Sequence, residues 1–559
     1  MLKLATLIEN PGEPGVESRY RDPVHLRELG YNAKIIYGTT ALSGLESLEV
    51  IDDPELRRWT QQTADRLQQE ARAAAAADLQ VYLFYDVLVL PAALLARGRR
   101  GATCRRRDDV LCPGSPEAWE LALRGCEAML HRFPEASGIV LRFGDTDAPR
   151  LPHLVGNEIY TPHCPRCGEL SYAARIVDAV SRFYDLVVER FDRRLIVRAW
   201  NLRPGGMHDK AELAAQVAAK LPGSPEDDRL MLSFKFTETD FWRYQRWNPA
   251  SLACGGRPVL YELQCQREFE GKGGIPNWQP PLWRDGPPEI GGEGEPTGLA
   301  GASAHANVAG LWAWVRGGGW GGPFVRDETW IDANVWAVPR LADAPGADLR
   351  ALAETWVRQE LKLDEDAAVE AVCDVLMASA EVVRRAFYVE PFAQAKRDPW
   401  HPAADWLQDD VLDAHAAWRI VQRLSEPGMD RALSEKQLAA EEITRLRTRL
   451  QRLADDRGHR RLEPLVNSLA YAESLIETLR DLLAGLIAYR RHRRSPNPGT
   501  AEQARQALYE AQSHWSHHTQ RLASRPGAAS AFREEGLWDL SEQVFTDLAR
   551  AGSVGGQDR

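Results

Sequence analysis

Residues 231–270 read MLSFKFTETDFWRYQRWNPASLACGGRPVLYELQCQREFE and contain most of two short apolar segments, 230–236 and 259–266. Apolar residues run almost continuously through both segments, which is typical of strands buried on both faces of a parallel sheet. Acidic side chains follow each segment, at Asp240 and at Glu268. Because a packed core disfavours unpaired carboxylates, the pattern indicates two parallel strands whose carboxyl ends open onto a polar site.

The same pattern recurs along about the first 320 residues, where strand-like apolar segments alternate with stretches of helical spacing. The strand-like segments are 3–9, 32–38, 80–90, 138–144, 194–202, 230–236, 259–266 and 310–317. Apolar residues at helical spacing predict helices between most of them, for example at 54–77, 115–133 and 170–190. Eight strand–helix units of this length predict a (β/α)8 barrel. A doubly wound open sheet is the alternative, but no glycine-rich phosphate-binding turn follows the first strand.

The character of the chain changes after about residue 330, where strand patterns give way to long amphipathic helices. The predicted helices are 347–361, 365–388, 404–424, 434–456, 462–492 and 501–523. The predicted fold class is therefore α/β, with a (β/α)8 TIM barrel at 1–330 and an all-α C-terminal domain at 331–559.

Composition and charge exclude several classes of protein. The net charge of −11 and the pI of about 5.7 argue against nucleic acid or an anionic membrane as a partner. No apolar run approaches the roughly 20 residues that span a bilayer, and the first residues, MLKLATLIE, are typical of a strand rather than a signal peptide. Eight cysteines in 559 residues are too sparse for a disulfide framework, which predicts a cytoplasmic protein. The helical domain allows a homodimer.

Chemistry in a (β/α)8 barrel lies at the carboxyl ends of the strands. The polar and aromatic candidates there are Arg142, Asp145, Arg198, Trp200, Asn201, Lys235, Asp240, Glu268, Trp312 and Trp314. Arg198 and Lys235 each lie within an apolar strand, so each must be paired or face a polar cavity. They predict either a clamp on a substrate carboxylate or a salt bridge to Asp240 or Glu268, and the two arrangements are compatible.

The carboxylates at the strand ends suggest acid–base chemistry. Glycoside hydrolysis needs one carboxylic acid to protonate the leaving oxygen and one carboxylate to activate water or to attack the sugar. Candidates for these roles follow three different strands: Asp240, Glu268, and the group Asp145, Asp147 and Glu158. The alternative is that these acids cap the helices that follow the strands. The 18 tryptophans of the chain are consistent with sugar binding, because flat indole faces stack on sugar rings, although most are expected to pack in the core.

The segment HCPRCG, residues 163–168, is a further candidate site. A CxxC pair beside a histidine, here Cys164 and Cys167 with His163, is half of a typical zinc site. Neither a second CxxC nor a matching pair among Cys104, Cys112 and Cys126 is evident from the sequence. A loop of packed thiols is therefore favoured, and no metal and no cofactor are predicted.

The stretch 232–268 resembles the catalytic core of the α-glucuronidases of glycoside hydrolase family 67. In that family a lysine precedes an Asp-Phe pair by five residues, and a Glu-Leu-Gln strand then leads to a catalytic glutamate. The matching residues here are Lys235, Asp240-Phe241, Glu262-Leu263-Gln264 and Glu268. Segments 195–202, 298–307 and 329–341 are also similar to parts of the family, and the resemblance covers about 130–360.

The resemblance implies a role for each matching residue. Asp240 and Glu268 would activate the attacking water, which implies inversion at the anomeric carbon, and Lys235 with Arg198 would hold the uronic carboxylate. The general acid would come from the loop after the fourth strand, with Asp145 first, Asp147 second and Glu158 third. The resemblance thus implies an inverting α-glucuronidase-like hydrolase whose partner is an acidic oligosaccharide. The alternatives are a non-hydrolytic carbohydrate-binding barrel and a glycosidase for a different sugar.

Overall fold

The computed structural model describes the greater part of the chain. The described residues are 1–9, 17–45, 53–96, 101–105, 107–143, 151, 153–156, 159–201, 204–290, 296–317, 326–395, 406–408, 411–457, 460–522 and 533–554. Three candidate acids from the sequence, Asp145, Asp147 and Glu158, lie outside these ranges.

Eight parallel strands close into a barrel, which confirms the predicted fold class. Each strand pairs with the next in chain order, and the last pairs with the first. The strands are β1 Leu2–Leu7, β2 Ala33–Ile36, β3 Gln80–Asp86, β4 Ala136–Arg142, β5 Arg194–Arg198, β6 Leu230–Lys235, β7 Val259–Gln264 and β8 Val308–Arg316. Every one overlaps a segment that the sequence predicts, although several predicted segments run a few residues past the strand because their apolar residues continue into the loop.

The strands that carry the candidate site are buried along their whole length. Every residue of β6 and of β7 is buried, as their near-continuous apolar sequences predict. Parallel pairing sets Lys235 opposite Glu262 and Ser233 opposite Arg198. Polar side chains from three neighbouring strands are thereby placed at similar levels near the carboxyl end of the barrel.

Helices surround the barrel in the order that the sequence predicts. They are α1 Pro23–Leu29, α2 Pro54–Ala76, α3 Pro116–Arg132, α4 Tyr172–Tyr184, α5 Ala211–Ala218, α6 Pro280–Asp285, α7 Gly298–Ser303 and α8 Thr329–Asp343. The side chains of Asp53, Ser115 and Ser171 accept hydrogen bonds from first-turn N–H groups and so cap α2, α3 and α4. After β6 a 3-10 turn, Ser251–Ala253, takes the place of a helix.

Helix α8 joins the barrel to the helices that follow it. It packs against β8 and β1, and its Asp332 is buried. The Asp332 carboxylate accepts hydrogen bonds from the Tyr20 hydroxyl at 3.1 Å and from the Trp356 indole at 3.0 Å. Since Trp356 belongs to the next helix, this buried acid connects the barrel with the C-terminal helices. The domain boundary at residue 330 stays a prediction.

The C-terminal part is dominated by helices, as predicted, but the prediction of a helix over 404–424 is wrong in its first half, because Leu407–Gln408 and Val411–Asp413 are strands and the helix begins at Ala414. The helices are α9 Leu349–Gln359, α10 Asp366–Phe387, α11 Glu390–Ala395, α12 Ala414–Arg423, α13 Glu426–Arg457, α14 Glu463–Arg494, α15 Pro498–His517 and α16 Leu537–Val554. A small three-stranded sheet of Leu407–Gln408, Val411–Asp413 and Arg533–Glu535 also occurs. Within the described ranges, none of the helices is long and apolar enough to cross a bilayer.

Candidate functional site

Lys235 is the last residue of β6, and its ammonium group lies at the carboxyl end of the barrel. Nζ forms a salt bridge with the Asp240 carboxylate. The same Nζ lies 3.6 Å from the centroid of the Trp200 ring and 4.6 Å from that of Phe241, which are cation–π contacts. The lysine side chain is 5% exposed and that of Asp240 is 25% exposed. The ammonium is therefore held by aromatic faces while its carboxylate partner stays open to solvent.

The loops that follow β6 and β7 contact each other in two places. The Arg267 guanidinium donates to the Phe241 carbonyl oxygen at 2.7 Å. The rings of Trp242 and Phe269 stack with their centroids 4.0 Å apart. These contacts join the two loops at the carboxyl end of the barrel.

Asp240 and Glu268 lie directly beside those contacts. Asp240 precedes Phe241, and Glu268 stands between Arg267 and Phe269. Both acidic residues keep partial exposure, although the residues around them are largely buried. The structure thus brings the two predicted carboxylates onto adjoining loops at one end of the barrel, where both have access to solvent.

The loop after β7 is fixed by a buried ion pair that reaches the C-terminal helices. Arg267 binds the Glu270 carboxylate in two places, at 2.9 and 2.7 Å, and the Tyr388 hydroxyl donates to the same carboxylate at 2.7 Å. Burial acts to raise the pKa of Glu270, but the charge and hydrogen bonds of Arg267 outweigh it and lower that pKa. Arg267 itself has a positive φ of 56°, so this network maintains a sparsely populated backbone conformation beside Glu268.

A second buried ion pair fixes the loop after β6. Arg243 binds Glu289 in a bidentate pair at 2.7 and 2.9 Å and donates to the Ala380 carbonyl oxygen of α10 at 3.2 Å. Burial opposes ionisation of Glu289, yet the charge of Arg243 lowers its pKa to about 2. The loops that carry both candidate acids are thus braced by residues from outside the barrel.

Inside the barrel, Arg198 forms a salt bridge with Glu262. The Arg198 Nε lies 3.1 and 3.2 Å from the two carboxylate oxygens. Ser233 Oγ and Trp314 Nε1 also donate to this carboxylate, at 2.9 and 3.0 Å. Glu262 is fully buried, so these donors compensate for the loss of water around its charge.

Arg142 has a comparable partner that the sequence did not single out. Its guanidinium binds Asp86 at 2.5 and 2.9 Å and donates to the Tyr37 hydroxyl at 3.1 Å. Asp86 and the pairing role of Glu262 are therefore features of the candidate site that sequence reasoning missed. The available signal was a single acid within an otherwise apolar strand, the acidic counterpart of the pattern that identified Arg198.

The candidate aromatic and amide residues contribute to the interior of the barrel end. Trp312 and Trp314 stack with centroids 4.7 Å apart, and the Trp312 indole donates to Thr6 Oγ1 at 2.9 Å. Both indoles are buried, as are Trp200 and Asn201. Trp200 contacts the Lys235 ammonium, whereas Trp312 and Trp314 pack around Arg198.

The His208 ring packs against the Trp200 ring. The two rings meet edge to face with centroids 5.0 Å apart. Backbone N–H groups of Ala250 and Ser251 donate to Asn248 Oδ1, and the Asn248 amide nitrogen lies 3.1 Å from His208 Nε2. Burial, together with the charge of Lys235, lowers the pKa of His208 to about 3.

This buried histidine predicts acid sensitivity. Its pKa is about 3 in the folded chain against an ordinary value of 6.5, so the unfolded chain binds more protons between these values and folding stability falls as the pH drops below about 6.5. Between pH 7 and pH 5, the unfolding free energy of the His208→Leu variant should fall by roughly 1–2 kcal/mol less than that of the unmodified protein, as measured by urea unfolding. The exposed His305, as His305→Leu, is the control. An unchanged slope in the His208 variant would contradict the assignment.

Four cysteines meet beside the barrel, which corrects the expectation that Cys164 and Cys167 have no matching pair. The sulfur of Cys112 lies 3.6 Å from that of Cys164, and the sulfur of Cys104 lies 4.0 Å from that of Cys167. Burial acts to raise the pKa of Cys164, but hydrogen bonds led by the backbone of Cys167 lower it to about 6. Cys126 lies apart from this group, in α3.

The fold and site define a (β/α)8 barrel with a helical C-terminal part and acids at the strand ends. No family model matches this chain, and no curated protein matches it. Among solved structures it is similar to a GH138 enzyme described as targeting pectin rhamnogalacturonan II, with 11% identity, a TM-score of 0.53, and coverage of 98% of this chain and 67% of that chain.

Two further solved structures match with TM-scores below 0.5. A mutant O-GlcNAc hydrolase of Thermobaculum terrenum is 9% identical, with a TM-score of 0.40 and coverage of 99% of this chain and 96% of that chain. CpGH84B is 8% identical, with a TM-score of 0.39 and coverage of 98% of this chain and 76% of that chain. The similarity to the GH138 enzyme, at 11% identity, bears on the fold alone, so the resemblance to family 67 stays a prediction.

Proposed function

We propose that this protein is a glycoside hydrolase that acts on an oligosaccharide carrying a uronic acid. The observation that carries the proposal is the arrangement around Lys235, whose ammonium lies between aromatic faces at the carboxyl end of the barrel. Its partner Asp240 is partly exposed, and Glu268 lies on the adjoining loop. A cation, an aromatic wall and two accessible carboxylates are the groups that an acidic sugar and a hydrolytic water require.

Lys235 is the residue best placed to bind the substrate carboxylate. An ammonium is a point charge with three donors, so it can contact a uronic carboxylate while it keeps Asp240 as a neighbour. Arg198 is the second carboxylate ligand that the resemblance implies. Its Nε contacts Glu262, and a guanidinium has five donors, so binding of both Glu262 and a sugar carboxylate is compatible with its chemistry.

Asp240 and Glu268 are proposed to activate the attacking water, and the product is proposed to have the inverted configuration. Inverting enzymes hold their acid and base roughly 6.5–9.5 Å apart, so that a water molecule fits between base and sugar. The acid is proposed to come from Asp145, Asp147 or Glu158. These residues follow β4, whose carboxyl end adjoins β5 in the barrel.

A substrate screen with stereochemical readout tests the function. Purified protein is incubated with aldouronic oligosaccharides, with neutral analogues and with rhamnogalacturonan fragments, the last because the GH138 neighbour is described as targeting pectin. Proton NMR then identifies the anomer that forms first. Release of a uronic acid with inversion supports the proposal. Binding without release would favour the non-hydrolytic barrel, and release of neutral sugars alone would favour a different glycosidase.

The role of Lys235 predicts a change in selectivity. Lys235→Met keeps an aliphatic side chain against Trp200 but removes the charge. We expect kcat/KM for a uronic substrate to fall roughly 30- to 900-fold more than kcat/KM for its neutral analogue, because the substrate carboxylate loses its partner. This ratio corresponds to a loss of about 2–4 kcal/mol of binding free energy. Loss of the salt bridge to Asp240 affects both substrates and cancels in the comparison. Equal losses on the two substrates would show that the lysine is structural.

A further inference from the structure

We propose that Cys104, Cys112, Cys164 and Cys167 together bind one structural zinc ion. Two of these cysteines belong to the segment after β3, and the other two follow β4. Their ligand atoms all lie within 4.8 Å of one another, and all four residues are buried. This inference is independent of the proposed hydrolysis.

The spacing of the sulfurs fits a tetrahedral metal. The Sγ–Sγ distances are 3.6 Å between Cys112 and Cys164, 3.7 Å between Cys164 and Cys167, and 4.0 Å between Cys104 and Cys167. Four sulfurs bound tetrahedrally at a Zn–S distance of about 2.3 Å lie about 3.8 Å apart. The thiols are therefore already arranged as a closed four-sulfur site of the kind that binds structural Zn²⁺.

Donors around the cluster are suited to thiolates. The backbone N–H groups of His163 and Cys164 point to the Cys167 sulfur at 3.2 and 3.3 Å. The Arg166 guanidinium donates to the Cys112 sulfur at 3.4 Å and to the Thr103 carbonyl oxygen at 2.7 Å. Outer hydrogen bonds of this kind orient metal ligands, and the arginine offsets part of the negative charge of four thiolates and Zn²⁺. His163 therefore contributes its backbone N–H to the cluster.

The backbone on both sides of the cluster is rigidly placed. Residues 103–104 pair with 107–111 as a short antiparallel hairpin, and the N–H of Cys112 donates to the Ala102 carbonyl oxygen at 2.9 Å. On the other side, Cys164 precedes a single helical turn, Pro165–Gly168. A Cβ added at Gly114 would lie 2.8 Å from the Arg166 carbonyl oxygen, so the two segments pack with their backbones in close contact.

The ion would connect loops that belong to two neighbouring strands. Cys164 and Cys167 lie just beyond 144–158, which contains the candidate acids, and the guanidinium of Arg175 holds the intervening segment through the carbonyl oxygens of Ile159 and Tyr160 at 2.9 and 2.7 Å. Because a preformed four-sulfur site is absent from the unfolded chain, the binding free energy of zinc contributes to folding. The ion therefore stabilises the fold and fixes the far end of this loop.

Metal content measured by mass spectrometry tests the proposal directly. Full-length protein is purified under reducing conditions without chelators or metal-affinity resin, and about one zinc per chain is expected. A double variant, Cys164→Ser with Cys167→Ser, should lose the zinc and show a lower Tm. Cys126→Ser is the matched control, since Cys126 is equally buried but lies outside the cluster. It should keep its zinc.

A second measurement on the unmodified protein covers the case in which the double variant does not fold. Titration with a mercurial reagent should release zinc in step with the modification of four thiols, followed with a colorimetric zinc chelator. Cobalt(II) substitution should give the intense visible absorption of a tetrahedral thiolate site. Reduced protein that neither contains nor takes up zinc would overturn the proposal. Two disulfides among these cysteines, or iron in place of zinc, would overturn it as well.

Discussion

Asp240→Asn and Glu268→Gln are each expected to lower kcat on a uronic oligosaccharide by roughly 10²–10⁴-fold, the usual contribution of a positioned acid or base. Each substitution keeps the size of the side chain but removes the carboxylate that activates water. KM should change little for Glu268→Gln. For Asp240→Asn it should stay equal or fall, because Lys235 loses its salt bridge to this carboxylate and interacts more strongly with the carboxylate of the substrate.

The control for these variants lies on the same loop. Glu238 is two residues before Asp240 and forms a salt bridge with Arg246 at 2.6 Å. Glu238→Gln therefore removes an acid of the same segment without touching the proposed chemistry, and kcat should stay within about threefold of the unmodified protein. If Asp240→Asn or Glu268→Gln retained comparable activity, that residue would have no role in activating water. Single-turnover assays measure the rate of the chemical step. Initial rates at increasing substrate concentration then give KM separately.

The barrel could be predicted from the sequence because its strands carry a strong local signal. Strands such as β6 and β7 are buried on both faces, so their residues are apolar with little interruption, and the alternation with amphipathic helices then fixes the class of fold. The small sheet that includes Val411–Asp413 and Arg533–Glu535 was not predicted. Its strands have two or three residues, which is too short for any periodicity, and Val411–Asp413 pairs with Arg533–Glu535 across more than a hundred residues of chain.

The candidate site could be predicted only in part. The salt bridge of Lys235 with Asp240 joins residues five apart, so it was foreseen as one alternative for the lysine. The pairing of Arg198 with Glu262 was not foreseen, because it depends on strand register and on which side chains point inward. The register is a property of the closed barrel and cannot be predicted from the sequence of either strand alone.

The cysteine cluster was missed for a related reason. Cys112 and Cys164 are separated by 52 positions, and their contact requires that β3 and β4 be neighbours in the barrel. The eight-strand pattern already implied that neighbourhood. A search for metal ligands restricted to adjacent CxxC motifs therefore overlooks pairs that the predicted topology brings together.

Removal of one partner of the buried Arg198–Glu262 pair is expected to give the largest loss of stability. Arg198→Met or Glu262→Leu should lower the free energy of unfolding by about 3–5 kcal/mol, because the remaining partner stays in the barrel interior as an uncompensated charge. Chemical denaturation monitored by tryptophan fluorescence measures the change. The exposed pair Arg491–Glu426 supplies the control, since its side chains are 32% and 50% exposed. Arg491→Met should cost less than about 1 kcal/mol.

The double variant, Arg198→Met with Glu262→Leu, decides whether the pair serves stability or function. Burying an ion pair removes two charges from water, so its replacement by apolar residues of similar size is often neutral or stabilising. The double variant should therefore have a higher free energy of unfolding than either single variant. Its activity should stay low, because it has no guanidinium at position 198 to bind a sugar carboxylate. Losses of stability that simply add in the double variant would show that the two residues do not act as a pair. Full activity in the double variant would show that Arg198 has no part in substrate binding, and would leave Lys235 as the cation of the site.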